Sequence, residues 1–188
     1  MSSISTASEA RALLKLQGLR TPSRQGYQAW STNPDSCSTV LTLSAGRLYL
    51  EALAVDEDFH PTAIDYYVSS TASSPTADQC LVGLYGPSGT LLASETTLFD
   101  STGVVSLDLS AVGELAEGLY RVAFLFNGST GPQIPRASQS AGGPGLTNIG
   151  LSVGDYRAAY NGSSNTSLPD PIDFTANTAY IPLFCAIR

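Results

Sequence analysis

"CLVGLYGPSGTLLAS", Cys80 to Ser94, is the stretch that decides the fold. Two apolar runs flank a Gly-Pro-Ser-Gly turn. Pro87 has its φ preset for position i+1 of a type I turn, and Gly89 can take a positive φ. The stretch reads as a β-hairpin, and similar punctuation recurs along the chain after Leu41. "RLYLEALAV" (Arg47–Val55) places Leu48, Leu50, Ala52 and Ala54 on one side and Arg47, Tyr49 and Glu51 on the other, the pattern of a half-buried strand. "AIDYYVSS" (Ala63–Ser70) alternates Ile64, Tyr66 and Val68 with Asp65, Tyr67 and Ser69. "VVSLDLSAV" (Val104–Val112) does the same with Val105, Leu107 and Leu109. "GLYRVAFLFNG" (Gly118–Gly128) is apolar almost throughout, apart from Arg121, and reads as a central strand covered on both faces. "TNIGLSV" (Thr147–Val153) and "TAYIPLFCAI" (Thr178–Ile187) complete the set. Pro182 cannot donate to a ladder, so the last strand is expected at an edge or bulged.

Short strands with turns between them and no intervening helices point to an all-β fold, an antiparallel, jelly-roll-like sandwich, over residues 27–188. Two stretches read as long loops, "GPQIPRASQSAGGPG" (Gly131–Gly145) and "NGSSNTSLPDP" (Asn161–Pro171). The N-terminal residues 1–26 differ in kind. "SEARALLKLQG" has Ser8 as a helix N-cap, Glu9 in the first turn and Gly18 as a stop, with Ala10, Leu13 and Leu14 on one face. "TPSRQG" (Thr21–Gly26) reads as a linker. This is a short helical arm, too short to stand alone in water.

Charge separates the arm from the body. The 188 residues carry a net −7, yet residues 1–25 hold Arg11, Lys15, Arg20 and Arg24 against Glu9 alone, a local +3 that leaves −10 for the remainder. An acidic body is a poor partner for nucleic acid, whose binding rests on neutralising phosphates. The arm fits an acidic surface on another protein. Arg11, Leu13, Lys15, Leu16, Arg20 and Arg24 are the expected docking residues.

Catalytic and metal signatures are sparse. Three cysteines, Cys37, Cys80 and Cys185, with no CxxC spacing suggest neither a disulfide framework nor a zinc site. Cys80 and Cys185 read as small hydrophobes in strands. The lone His60 stands beside Asp56, Glu57 and Asp58, without the spacing of a calcium loop. There is no nucleophile elbow, P-loop or dinucleotide fingerprint. No catalytic residue, metal ligand or cofactor is therefore expected. No run is long and apolar enough to insert in a membrane, and "MSSISTASEA" lacks the features of a signal peptide. Synthesis in a cytoplasm is the corresponding expectation. Tyr27 and Trp30 after the linker, and Tyr156 and Tyr160 near the second long loop, are candidates for stacking on a glycan or packing on a protein. Covering the end of the sandwich is the plainer role for Tyr27 and Trp30.

The words "GRLYL", "VGLYGPSGTLLAS" and "GLYRVAFLFNG", with the closing "SLPDPIDFTANTAYIPLFCAIR", resemble a β-domain family of virion proteins in tailed phages of actinobacteria. The resemblance runs from about Tyr27 to Arg188. It implies a structural, non-enzymatic role in the virion, with other tail or capsid proteins as partners. It also implies homo-oligomerisation, as a trimer by analogy with fibres and decoration proteins. The family supplies no catalytic residues to carry over. A minor tail or fibre protein touching the host surface is the first expectation and a capsid decoration protein the second. A carbohydrate-binding module acting on host-surface glycans is the third.

Overall fold

The computed structural model describes residues 21–138 and 143–188. The helix expected at Ser8–Gly18 lies outside the described residues, as do Arg11, Leu13, Lys15, Leu16 and Arg20. The chain enters the described fold through a 3-10 turn, Pro22–Gln25, closed by Gly26 in the left-handed region at φ 81°. The stretch expected to be a linker is therefore a compact turn, begun by Pro22 and stopped by a glycine that accepts positive φ.

Two antiparallel sheets form the body. The larger has six strands, in the order β13 (Thr178–Ala179), β12 (Ala158–Asn161), β3 (Leu48–Val55), β9 (Gly118–Leu125), β6 (Leu81–Tyr85) and β7 (Leu91–Thr96). The smaller has four, in the order β1 (Ala29–Trp30), β14 (Cys185–Ile187), β4 (Ala63–Val68) and β8 (Gly103–Asp108). Two ribbons flank them: β2 (Thr39–Thr42) with β11 (Gln133–Arg136), and β5 (Ser73–Pro75) with β10 (Gly128–Thr130). The hairpin at Gly86–Gly89 joins β6 to β7 within one sheet, with Gly89 at φ 87°. The passages from β3 to β4, β4 to β6, β7 to β8 and β8 to β9 all cross between the sheets. The all-β, antiparallel sandwich is thus the observed class.

Alternation builds the core. Ala29, Ile187, Ile64 and Leu107 form one continuous inward row across the four-stranded sheet. Opposite them, β9 contributes Tyr120, Val122 and Phe124, all buried. Tyr66 meets Phe124 edge to face at 5.3 Å and Phe99 at 6.2 Å, geometry that favours the ring quadrupoles. β9 is covered on both faces, as its composition requires.

Strand β3 corrects the reading of its own alternation. Its odd positions Tyr49, Leu53 and Val55 face the main core, and Leu48 and Leu50 belong to a second apolar cluster with Tyr85, Ala123, Leu125, Leu168 and Ile172. The strand is buried on both sides rather than one. Tyr49 tolerates its place because its hydroxyl accepts the Ser44 N–H at 3.0 Å. The second cluster exists because the segment after Asn161 folds over the outside of the large sheet. Tyr85 donates to the Pro169 carbonyl at 2.7 Å, and Ile172 N–H bonds the Gly89 carbonyl at 2.9 Å. A Cβ on Gly89 would stand 2.4 Å from that Ile172 oxygen, so the hairpin glycine also admits the covering segment.

Three more expectations change. Thr147–Val153 is not a strand: helix α1 (Gly143–Thr147) and a following turn occupy it, and Ile149 is 73% exposed. The strand lies later, at β12, where four residues are too few to show a period. The closing run splits into β13 and β14, which belong to different sheets, and Pro182 falls in the crossing between them. β14 is consequently an interior strand, while β13 is the edge. Lastly, the expected loop at Gly131–Gly145 holds β11 and the start of α1.

Candidate functional site

Two places gather polar and aromatic side chains. The first is the outer face of the four-stranded sheet. Trp30, Ala186, Asp65 and Ser106 form a row across it, one residue out of phase with the inward row. Asp65 is 6% exposed and receives bonds from the Ser106 hydroxyl at 2.5 Å, the Tyr27 hydroxyl at 3.0 Å and Arg188 Nε at 2.8 Å. Burial pushes its carboxyl pKa up, but the bonds from Arg188, Ser106 and Tyr27 outweigh it and hold it below the ordinary value. Burial and the Asp65 bond together raise the Tyr27 phenol. Beside this clasp, Gln28 N–H bonds the Ile187 carbonyl at 2.7 Å, and its side chain donates to Glu57 at 3.1 Å.

The clasp fixes the root of the arm. Arg24, exposed on the 3-10 turn just before it, is the one expected docking residue that the structure describes. A shallow pocket of about 330 Å³ adjoins that root, lined by Thr21, Pro22, Ser23, Gln28, Asp56 and Glu57. Tyr27 is thus a clasp residue, and Trp30 sits half-buried on the edge strand β1, in the outward row with Asp65.

The second place is the β12–β13 margin of the larger sheet. The edge strand β1 of the smaller sheet packs on β3, the inner neighbour of β12. On the core-facing side of β12, Tyr160 lies directly across from Tyr49, and both Tyr160 and Tyr180 pack against the rim of the main core. Tyr180 meets Tyr49 at 5.5 Å and Tyr160 at 5.7 Å, both edge to face. The Arg47 guanidinium sits 4.4 Å over the Tyr160 ring and 5.8 Å from Tyr180, a stacked cation–π arrangement. Its Nε is buried and has no hydrogen-bond partner. Burial raises the Tyr180 phenol, aided by Tyr49, while Arg47 and Arg136 pull the other way.

Of the aromatic candidates, only Tyr160 belongs to this margin. Tyr156 is half-buried after the turn at Val153–Asp155 and shares none of these ring contacts. Arg47 and Tyr180 were not singled out from the sequence, since one reads as a strand's polar face and the other as part of a closing strand. Their signal is an arginine next to a strand in a body that has few cations.

Two further ionisable groups are buried by the sheets. Arg121 is 2% exposed, donates to the Gly154 carbonyl at 2.9 Å and lies 5.2 Å from the Phe174 ring. Glu51 is wholly buried and neither carboxylate oxygen has a hydrogen-bond partner of ordinary geometry. Burial pushes its pKa well up, against smaller opposing effects of the Leu183 N–H and Arg121. Cys80 and Cys185 are buried among apolar side chains, and His60 is exposed between β3 and β4. No family model matches the chain, and no curated protein matches it.

Proposed function

We propose that the protein is a non-enzymatic structural component of a tailed-phage virion, associated with the tail and displayed outward as a homo-oligomer. Its N-terminal arm fastens it to other virion proteins. What carries the reading is the division of charge along the chain, +3 over residues 1–25 against −10 for the rest, together with the clasp at the junction. A load on the arm passes through Tyr27 and Gln28 into β14, β4 and β8 rather than peeling β1 alone. Arm cations meet acidic groups of the partner, and burying Leu13 and Leu16 against it would add about 1.5–3 kcal/mol for each fully buried leucine.

The test is deletion of residues 1–20, which leaves the clasp intact. The truncated protein is expected to melt as the full chain does and to be missing from purified particles. Normal incorporation would remove the anchoring role. Raising the salt should weaken the ionic share of the attachment and leave the apolar share.

A further inference from the structure

We propose that the β12–β13 margin binds an acidic saccharide, with Tyr160 and Tyr180 taking the C–H face of a sugar ring and Arg47 with Arg136 taking its carboxylate or phosphate. This binding does not depend on a virion role. The body from residue 26 onward has five arginines amid fifteen acidic residues. Arg188 is paired with Asp65, Arg121 is buried on a backbone carbonyl, and Arg157 is exposed just before β12. Arg47 and Arg136 both act on Tyr180, yet among the described residues neither has a carboxylate within ion-pair distance.

Internal packing leaves Arg47 incompletely served. The guanidinium carbon lies 4.4 Å over the Tyr160 ring, and its group also reaches Tyr180, which together use only part of its five N–H donors. Nε is shut off from water without an acceptor, which costs free energy, so an incoming oxyanion would meet the terminal N–H groups of the half-buried side chain. A planar carboxylate or a phosphate offers paired oxygens that match that fork. Arg136 reaches the same place from the β2–β11 ribbon, held there by its Nε bond to the Val40 carbonyl and by the bridge to Leu183.

The rings are ready for a sugar. Tyr49, buried and fixed through its hydroxyl, braces Tyr180, which in turn braces Tyr160. Tyr160 and Tyr180 remain half-buried, so part of each is in contact with water. Pre-set rings lose little freedom when a ligand stacks on them. An aromatic edge beside a guanidinium that has no carboxylate partner among the described residues suits an oxyanion attached to a ring with an apolar face.

Calorimetric titration of the full chain with a short oligogalacturonate, a neutral oligosaccharide of equal length, glucose 6-phosphate and a glutamate-rich peptide tests this. The acidic oligosaccharide should bind about tenfold or more tightly than the neutral one, as expected for hydrogen bonds to a charged group. Tighter binding of glucose 6-phosphate than of oligogalacturonate supports the site and assigns it to phosphorylated glycans. Arg136→Ala should weaken binding about tenfold with an unchanged melting temperature. Arg47→Lys, which keeps the charge and loses the fork, should also weaken it and serves if Arg136→Ala melts early. Equal binding of acidic and neutral sugars, no saccharide binding, tighter binding of the peptide, or full affinity in both variants would each overturn the proposal.

Discussion

Asp65 and Glu51 are acids in the middle of buried strands, one in each sheet, and their circumstances are opposite. Asp65 faces outward from the small sheet and is met by a phenol, a hydroxyl and a guanidinium. Glu51 faces the inter-sheet core and has no partner of ordinary geometry. One carboxylate is stabilised in its charged form, and the other is driven towards its neutral form. Burial alone therefore says little about what an acid does here; the donors supplied from elsewhere in the chain decide it. The clasp ties sequence-distant segments together, whereas Glu51 is a liability that the core carries.

Removing the acid from each side breaks the comparison most sharply. Asp65→Ala strands Arg188, Tyr27 and Ser106, and should cost about 3 kcal/mol in chemical denaturation, the upper range for hydrogen bonds to a charged group. Glu51→Leu should do the reverse and gain about 2 kcal/mol, because an unsatisfied buried polar group is exchanged for packing. A loss on Glu51→Leu would mean that the Leu183 N–H and Arg121 hold its carboxyl more firmly than burial penalises it. Tyr27→Phe removes a single bond from the clasp and should cost about 1 kcal/mol.

The smallest effect is in the pH profile. Asp65 is held below its ordinary value, so its contribution is complete above about pH 4 and is lost as pH falls through the folded value. Glu51 is held above its ordinary value. Its neutral form favours folding below about pH 4.3, and that advantage drains away as pH rises towards the folded value. The melting-temperature difference between Glu51→Gln and the parent should accordingly move in favour of Gln between about pH 5 and pH 8. A constant difference across that range would contradict the burial argument.

The same contrast explains what the sequence let one read. Alternation identified β4 and β8, and with them Asp65 on the polar side. The Gly-Pro-Ser-Gly turn identified the β6–β7 hairpin, and the unbroken apolar run identified β9. Nothing local announced that Tyr49 and Glu51 would face the core. That depends on Leu168 and Ile172 closing over Leu48 and Leu50 from more than a hundred residues away. Likewise, β12 is too short for a period, and the split at Pro182 turns on which sheet each half joins. Tyr160 was legible as an aromatic near a long loop. Its partners Arg47 and Tyr180 were not, because the site is made by pairing β12 with β3 and β13.

The proposed role, an outward-facing sandwich held to a virion by its arm, is tested most directly by a reconstruction of the intact particle with this chain located in it. The sandwich is expected on the exterior of the tail, with residues 1–20 against another virion protein or a sister copy. A chain absent from the particle, or one whose arm touches no neighbour, would contradict it.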